Sequence, residues 1–192
     1  IQYAEEFAFY QQLKFYYDSN RGKIRSRYND LTKKFLAYND KNENPDAFLR
    51  LPQFEALEMY VFIKEFLNNE TMLQLVRDWH NKEGSFLETQ NWVTKTDGTT
   101  GQMSFYDMSE SDFEILEGQL EAVKTSYPNY IYALTMGLGK TILMATCIFY
   151  EFLLMNKFPK DKKYCHNAIV FAPDKTVLQS LREIMTFDKS KV

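Results

Sequence analysis

The stretch of sequence that decides the predicted fold occupies positions 134–141 of the 192-residue chain and is Leu134-Thr135-Met136-Gly137-Leu138-Gly139-Lys140-Thr141. A short apolar run at residues 130–134 leads into it, and an apolar stretch at 141–157 has the length of a helix. A second apolar run at 168–172 and a stretch with helical spacing at 176–187 follow. The order strand, loop, helix, strand, helix is typical of a parallel sheet, so the predicted fold class is α/β.

The five residues G-L-G-K-T in this stretch match the pattern G-x-G-K-T, the second half of a phosphate-binding loop. Gly137 and Gly139 would let successive backbone N–H groups wrap a phosphate, because glycine has no Cβ atom in the way. The helix that follows would direct its positive end at the anion. We expect Lys140 to reach the β- and γ-phosphates and the Thr141 hydroxyl to ligate Mg²⁺, which makes these two the predicted catalytic residues.

Composition limits the classes of protein to consider. The chain is 45% hydrophobic and 26% charged, which is typical of a folded domain, and its seven glycines and five prolines are too few for a disordered or collagen-like chain. The two cysteines, Cys147 and Cys165, form neither a disulfide framework nor a metal-binding pair. No signal peptide or membrane span is visible, so we expect a cytoplasmic protein without a membrane partner.

Charge is unevenly distributed along the chain. The formal net charge is −3, but residues 51–130 carry 14 acidic and 5 basic side chains, whereas both ends are mildly basic. An acidic surface repels a phosphate backbone, so contact with nucleic acid is expected from the ends of the chain. Four lysines between residues 157 and 163 form a basic patch, for which a solvated connector is the simpler interpretation.

Helical spacing dominates the region before the loop. Residues 1–38 and 51–68 place apolar side chains three and four positions apart, as an amphipathic helix requires. Residues 80–112 are polar and have no sustained period, which predicts a long insertion or a partly ordered loop. Ser111 and Glu114 then form a capping box for a helix predicted over 112–124.

Three segments together resemble the superfamily 2 helicases and translocases. The sequence M-G-L-G-K-T resembles their motif I, and N-A-I-V-F-A-P-D-K-T-V-L, which starts at Asn167, resembles motif Ia. Upstream, L-R-L-P-Q-F-E-A-L at residues 49–57 resembles the adenine-recognition segment L-R-x-x-Q-x-x-A. The branch that the chain resembles most is the ATPase subunit of type III restriction enzymes and related defence helicases.

This resemblance implies an ATP- and Mg²⁺-dependent motor acting on nucleic acid, DNA rather than RNA, in restriction or phage defence. Gln53 would bind the adenine edge with its amide, which can donate and accept at once. The nucleotide would otherwise contact the loop residues Met136, Gly137, Leu138, Gly139, Lys140 and Thr141. The backbone of a bound strand would lie near Pro173, Asp174, Lys175 and Thr176.

The resemblance also implies a domain organisation. Residues 1–48 would form a helical N-terminal extension, and residues 49–192 the first part of a RecA-like ATPase domain. Gln53 and Lys140 are further apart than is usual in the superfamily, so an insertion is expected at 68–125. No D-E-x-H box follows motif Ia, so we expect the chain alone to have negligible ATPase activity. The expected partners are the remaining RecA-like domain and a nuclease or methylase subunit.

Two other functional classes stay open at this point. A non-motor nucleotide switch or kinase also uses a phosphate-binding loop, but it does not need nucleic acid for hydrolysis. A helical interaction module could carry the loop without binding any nucleotide. Binding of an ATP analogue and stimulation of hydrolysis by DNA are the observations that separate these classes.

Overall fold

The computed structural model describes residues 4–89, 92, 109–135, 137–171 and 179. The stretches with helical spacing at 1–38, 51–68 and 141–157 are helical where they are described, but the first forms two helices with a break at residues 27–29, and the second ends in a π-helical segment. Within the described residues the regular elements, in chain order, are α1 (Ala4–Ser26), α2 (Asp30–Asn39), α3 (Leu51–Val61), the π-helical segment Phe62–Phe66, α4 (Met72–Asn81), the 3₁₀ helix Gly84–Thr89, α5 (Glu110–Ala122) and α6 (Lys140–Lys157).

The predicted α/β fold class is wrong for the part of the chain that the structure describes. These residues contain no β-strand and no sheet, so they do not form the partial RecA-like domain that the resemblance implied. Residues 130–134 and 168–171, which we predicted as strands, have no regular secondary structure. Ala172 and the predicted helix at 176–187, apart from Gln179, lie outside the described residues.

The physical reason for this correction is that a strand forms only beside another strand. Its backbone N–H and C=O groups need a ladder of partners, which an apolar run does not itself provide. The exposed fractions of Ile131 and Phe171 are 95% and 89%, so no neighbouring layer among the described residues covers these side chains. An apolar run thus predicts a preference for burial, whereas burial itself depends on contacts with other segments.

The chain divides into two compact units, each built from two segments that are distant in sequence. The first unit consists of Ile1–Asn29 and Val61–Ile131, and the second of Asp30–Tyr60 and Tyr132–Val192. The domain organisation expected from the resemblance, with a boundary after residue 48 and an insertion at 68–125, remains a prediction.

An aromatic core holds the first unit together. Tyr16 of α1 is fully buried, and its ring meets the rings of Trp79 and Phe86 edge-on, with centroids 5.7 Å away in both cases. The Tyr16 hydroxyl donates a hydrogen bond to Oγ1 of Thr89 at 2.6 Å. Edge-to-face contacts of this kind add to the free energy gained by burying apolar area. The helical spacing of aromatic residues in α1 therefore serves a core.

The second unit packs one face of α6 against α2 and α3. Tyr150 is fully buried, its ring centroid lies 5.0 Å from that of Phe35, and its hydroxyl shares a hydrogen bond with Thr32. The sequence of α6 is apolar nearly all round, which predicts burial on every side. The structure differs: Phe149 is half exposed, and the buried residues lie along one stripe, namely Leu143, Tyr150, Glu151 and Leu154.

Helix caps test the sequence interpretation at single positions. Thr71 caps α4, because its side chain accepts a hydrogen bond from the N–H of Gln74. The cap expected at Ser111 is wrong by two residues. The N-cap of α5 is Ser109, whose hydroxyl accepts from the N–H of Asp112 and donates to its carboxylate. Both serines offer the same capping chemistry, so the motif alone could not select between them.

No helix within the described ranges is both long and apolar enough to cross a membrane. The two longest are α1 with 23 residues and α6 with 18. In α1 the apolar side chains are interrupted by charged ones throughout, and α6 carries Glu151 in its buried stripe.

Candidate phosphate-binding site

The glycine loop turns sharply into α6. Gly137 and Gly139 have φ angles of 78° and 67°, in the left-handed region that residues with a side chain seldom adopt. Gly139 is the N-cap residue of α6, and its carbonyl accepts hydrogen bonds from the N–H groups of Ile142 and Leu143. The spacing of the two glycines thus corresponds to two backbone positions where glycine is required.

The start of α6 offers backbone donors to an anion. The Gly139 cap makes no side-chain hydrogen bond to the helix, unlike the serine and threonine caps of α5 and α4. The N–H groups of Ile142 and Leu143 already donate to Gly139, so the donors that the helix itself leaves without an acceptor are those of Lys140 and Thr141. Lys140 and Thr141 occupy the first two positions of α6, where the helix dipole favours negative charge.

Gln53, from the first turn of α3, reaches the glycine loop. Its side chain is 3% exposed, and its Nε2 atom donates a hydrogen bond to the carbonyl oxygen of Gly139 at 3.0 Å. Its Oε1 atom accepts a hydrogen bond from the backbone N–H of Arg50 at 2.8 Å. Two segments 86 residues apart are joined here, and both belong to the second unit. The structure therefore brings Gln53 and the loop together.

Arg50 also reaches the loop, and the sequence interpretation gave it no role. Its Nη1 atom donates to the carbonyl oxygen of Gly137 at 3.3 Å, and the residue is otherwise exposed. A guanidinium group beside a candidate phosphate site adds positive charge and several donors. The sequence feature that could have indicated this role is the position of Arg50 in the segment L-R-L-P-Q, three residues before Gln53.

Lys140 folds back onto its own loop. Its Nζ atom donates to the carbonyl oxygen of Thr135 at 3.1 Å, and the residue is exposed. A lysine side chain carries three donors on a flexible stem, so this contact can be exchanged for one with a phosphate. Thr141 is half-buried at the next position.

Several residues of the predicted site lie outside the described residues. They are the loop residue Met136 and the four residues expected near a nucleic-acid strand, Pro173, Asp174, Lys175 and Thr176. Among the residues that are described, no group of three or more His, Cys, Asp or Glu side chains could hold a metal ion. The role of Thr141 as a ligand of Mg²⁺ therefore stays a prediction.

A second polar cluster lies further along α6, beside a cavity of about 370 Å³. Glu151 is buried, and its carboxylate accepts hydrogen bonds from the Tyr60 hydroxyl and from the backbone N–H of Cys165. Burial, together with the neighbouring Glu151 carboxylate, raises the pKa of Tyr60 far above its ordinary value of 10. Burial likewise raises the pKa of the Cys147 thiol to about 12, so it stays protonated at neutral pH and is a poor nucleophile.

Comparisons of the chain with protein-family models, with curated proteins and with solved structures find no match. The functional assignment therefore depends on the residues and contacts described above.

Proposed function

We propose that residues 137–141 bind the phosphate groups of a nucleoside triphosphate, ATP with Mg²⁺. The observation that carries the proposal is the pair of left-handed glycines at the N-cap of an 18-residue helix, with Lys140 and Thr141 opening that helix. Arg50 adds a second cation at the loop. This combination of amides at a helix N-terminus, helix dipole and flexible lysine is what a phosphate-binding loop uses. All of these features belong to the loop, to the first turn of α6 and to Arg50, so the proposed phosphate contacts do not require a neighbouring sheet.

We further propose that the nucleotide powers a motor that acts on nucleic acid in the cytoplasm, in restriction or phage defence. This part is supported by the order of the three segments that resemble helicase motifs, and by the contact of Gln53 with Gly139. DNA is the proposed polymer, and a nuclease or methylase is the proposed partner. Hydrolysis that DNA stimulates in the protein containing this chain would separate a motor from a switch or a kinase.

The first test is the substitution Lys140→Ala, measured by titration of a fluorescent ATP analogue in the presence of Mg²⁺. We expect the affinity to fall at least about tenfold, because a charge-assisted contact to phosphate contributes about 1.5–3 kcal/mol. The matched control is Lys157→Ala at the other end of α6, where the lysine is also exposed. The control should bind the analogue as the wild type does.

Two results would contradict the proposal. One is a wild-type chain that binds no analogue, which would favour the helical interaction module with an unused loop. The other is a Lys140→Ala variant whose affinity equals that of the wild type, since the loop would then not be the site. Circular dichroism of both variants shows whether the helices are intact, so that loss of folding is not mistaken for loss of binding.

A further inference from the structure

Both polar ends of the Gln53 side chain are engaged by the protein itself. The amide nitrogen donates to the carbonyl oxygen of Gly139, and the amide oxygen accepts from the N–H of Arg50. The side chain is 3% exposed, so little of it faces solvent or an incoming ligand. An amide that recognises adenine must present one donor and one acceptor side by side to the edge of the base. The acceptor of Gln53 already receives the N–H of Arg50, the residue that precedes α3.

We propose that Gln53 is a positioning residue, which fixes the conformation of the glycine loop, and that it does not recognise the base. The inference builds on the proposed nucleotide site and deepens it. The Gln53 amide holds the carbonyl of Gly139, the residue that both ends the loop and caps α6. Because that carbonyl is fixed, the amides that follow it point in a constant direction toward the phosphates. Gln53 then strengthens the binding of the triphosphate group, and this contribution does not depend on which base the nucleotide carries.

The space around Gly139 supports the same conclusion. A Cβ atom built on Gly139 would lie 2.7 Å from Nε2 of Gln53, closer than such atoms approach one another in proteins. A Cβ atom on Gly137, in contrast, would have no neighbouring atom within 4 Å. Gln53 thus packs directly against one of the two glycines, at the distance needed to hold the backbone there.

The test compares three ligands: ATP, GTP and inorganic triphosphate. The variant is Gln53→Met, which keeps the length and much of the volume of the side chain but removes both hydrogen bonds. Loss of a buried hydrogen bond weakens an interaction by roughly threefold to tenfold, so we expect about fivefold weaker binding. The factor should be the same for all three ligands, because the loop and not the base has lost its support.

A second variant separates positioning from a general loss of packing. Gly139→Ala should displace the Gln53 amide and also strain the loop, because the φ of 67° disfavours a side chain, so it should weaken binding of all three ligands. When Gln53→Met is added to Gly139→Ala, we expect little further loss, since both changes break the same contact. Two residues that act independently would instead give losses that multiply.

The outcomes distinguish this inference from the proposed function. If the wild type binds none of the three ligands, both proposals fail. If the wild type binds and Gln53→Met weakens only ATP, the nucleotide site stands and Gln53 recognises adenine, which overturns the inference. The inference also fails if Gln53→Met binds all three ligands as the wild type does, because the hydrogen bonds would then have no role in the loop. Thermal melting of each variant confirms that it is folded.

Discussion

Cys147 and Cys165 line the same cavity in the second unit, but their surroundings differ. Cys165 is exposed, whereas Cys147 is half-buried and its thiol has a pKa raised to about 12 by burial. Only the thiolate is nucleophilic, so a shift of this size lowers the reactive fraction by about a thousandfold at neutral pH. The two thiols should therefore differ strongly in reactivity.

We predict that iodoacetamide at neutral pH modifies Cys165 well before Cys147. In the variant Cys165→Ser the single remaining thiol should react slowly, and its rate should rise about tenfold for each pH unit between roughly pH 8 and 11. Mass spectrometry of timed samples measures both rates, and Cys147→Ser is the matched control. Equal rates for the two thiols in the folded protein would show that burial does not hold Cys147 protonated.

At the scale of elements, a buried carboxylate connects α6 to α3. Glu151 lies in the buried stripe of α6, and the Tyr60 hydroxyl, close to the end of α3, donates to it. A buried carboxylate that loses a hydrogen-bond donor is poorly solvated, which costs about 1–3 kcal/mol. This contact contributes to the stability of the second unit in a way that apolar spacing does not reveal.

We expect Tyr60→Phe to lower the free energy of unfolding by about 1–3 kcal/mol, since it removes only the hydroxyl. Urea denaturation followed by circular dichroism measures the change. Tyr38→Phe on α2 is the control. Because Tyr38 is 64% exposed, removal of its hydroxyl should lower the free energy of unfolding by less than about 0.5 kcal/mol. If Tyr60→Phe is as stable as Tyr38→Phe, the bond to Glu151 contributes nothing to folding.

The same elements show what sequence could and could not predict. The extent of α6 followed from its apolar residues and from the glycines before it, because both are local properties. The hydrogen bond from Gln53 to Gly139 joins residues 86 positions apart, and no local periodicity encodes such a contact. The motif resemblance selected Gln53 and assigned its amide to adenine, an assignment that stays a prediction. The hydrogen bonds of that amide with Gly139 and Arg50 could be seen only in the structure.

At the scale of the whole molecule, periodicity predicted helices but did not predict how segments combine. Each unit joins two stretches that are far apart in the chain, so its core cannot be deduced from one stretch alone. The apolar runs at 130–134 and 168–171 gave the signal of buried strands, yet Ile131 and Ile169 are 95% and 80% exposed. A sheet forms only when several strands pair side by side. Of the features that we predicted, a sheet depends most on contacts between segments that are distant in sequence.

The two tryptophans, Trp79 and Trp92, both belong to the first unit. Tryptophan fluorescence therefore reports the unfolding of that unit, whose core includes Tyr16. Burial raises the pKa of the Tyr16 hydroxyl to about 12, although its hydrogen bond to Thr89 and the charge of Arg27 act in the opposite direction. In the unfolded chain the same group titrates near its ordinary value of 10.

This difference predicts how stability depends on pH. Below about pH 10 the Tyr16 hydroxyl is protonated in both states, and its hydrogen bond stabilises the folded unit in full. Between about pH 10 and 12 the unfolded state releases the proton while the folded state retains it, so stability falls as the pH rises. Across this range we expect the free energy of unfolding of the wild type to fall by up to about 2 kcal/mol more than that of Tyr16→Phe.

Urea denaturation followed by tryptophan fluorescence at a series of alkaline pH values measures this difference directly. Tyr127→Phe is the control, because Tyr127 belongs to the same unit but is 60% exposed, and its loss should leave the wild-type slope unchanged. A Tyr16→Phe variant that loses stability with rising pH as steeply as the wild type does would contradict this prediction. Other groups would then account for the alkaline transition, and burial of the Tyr16 hydroxyl would not control the stability of the first unit.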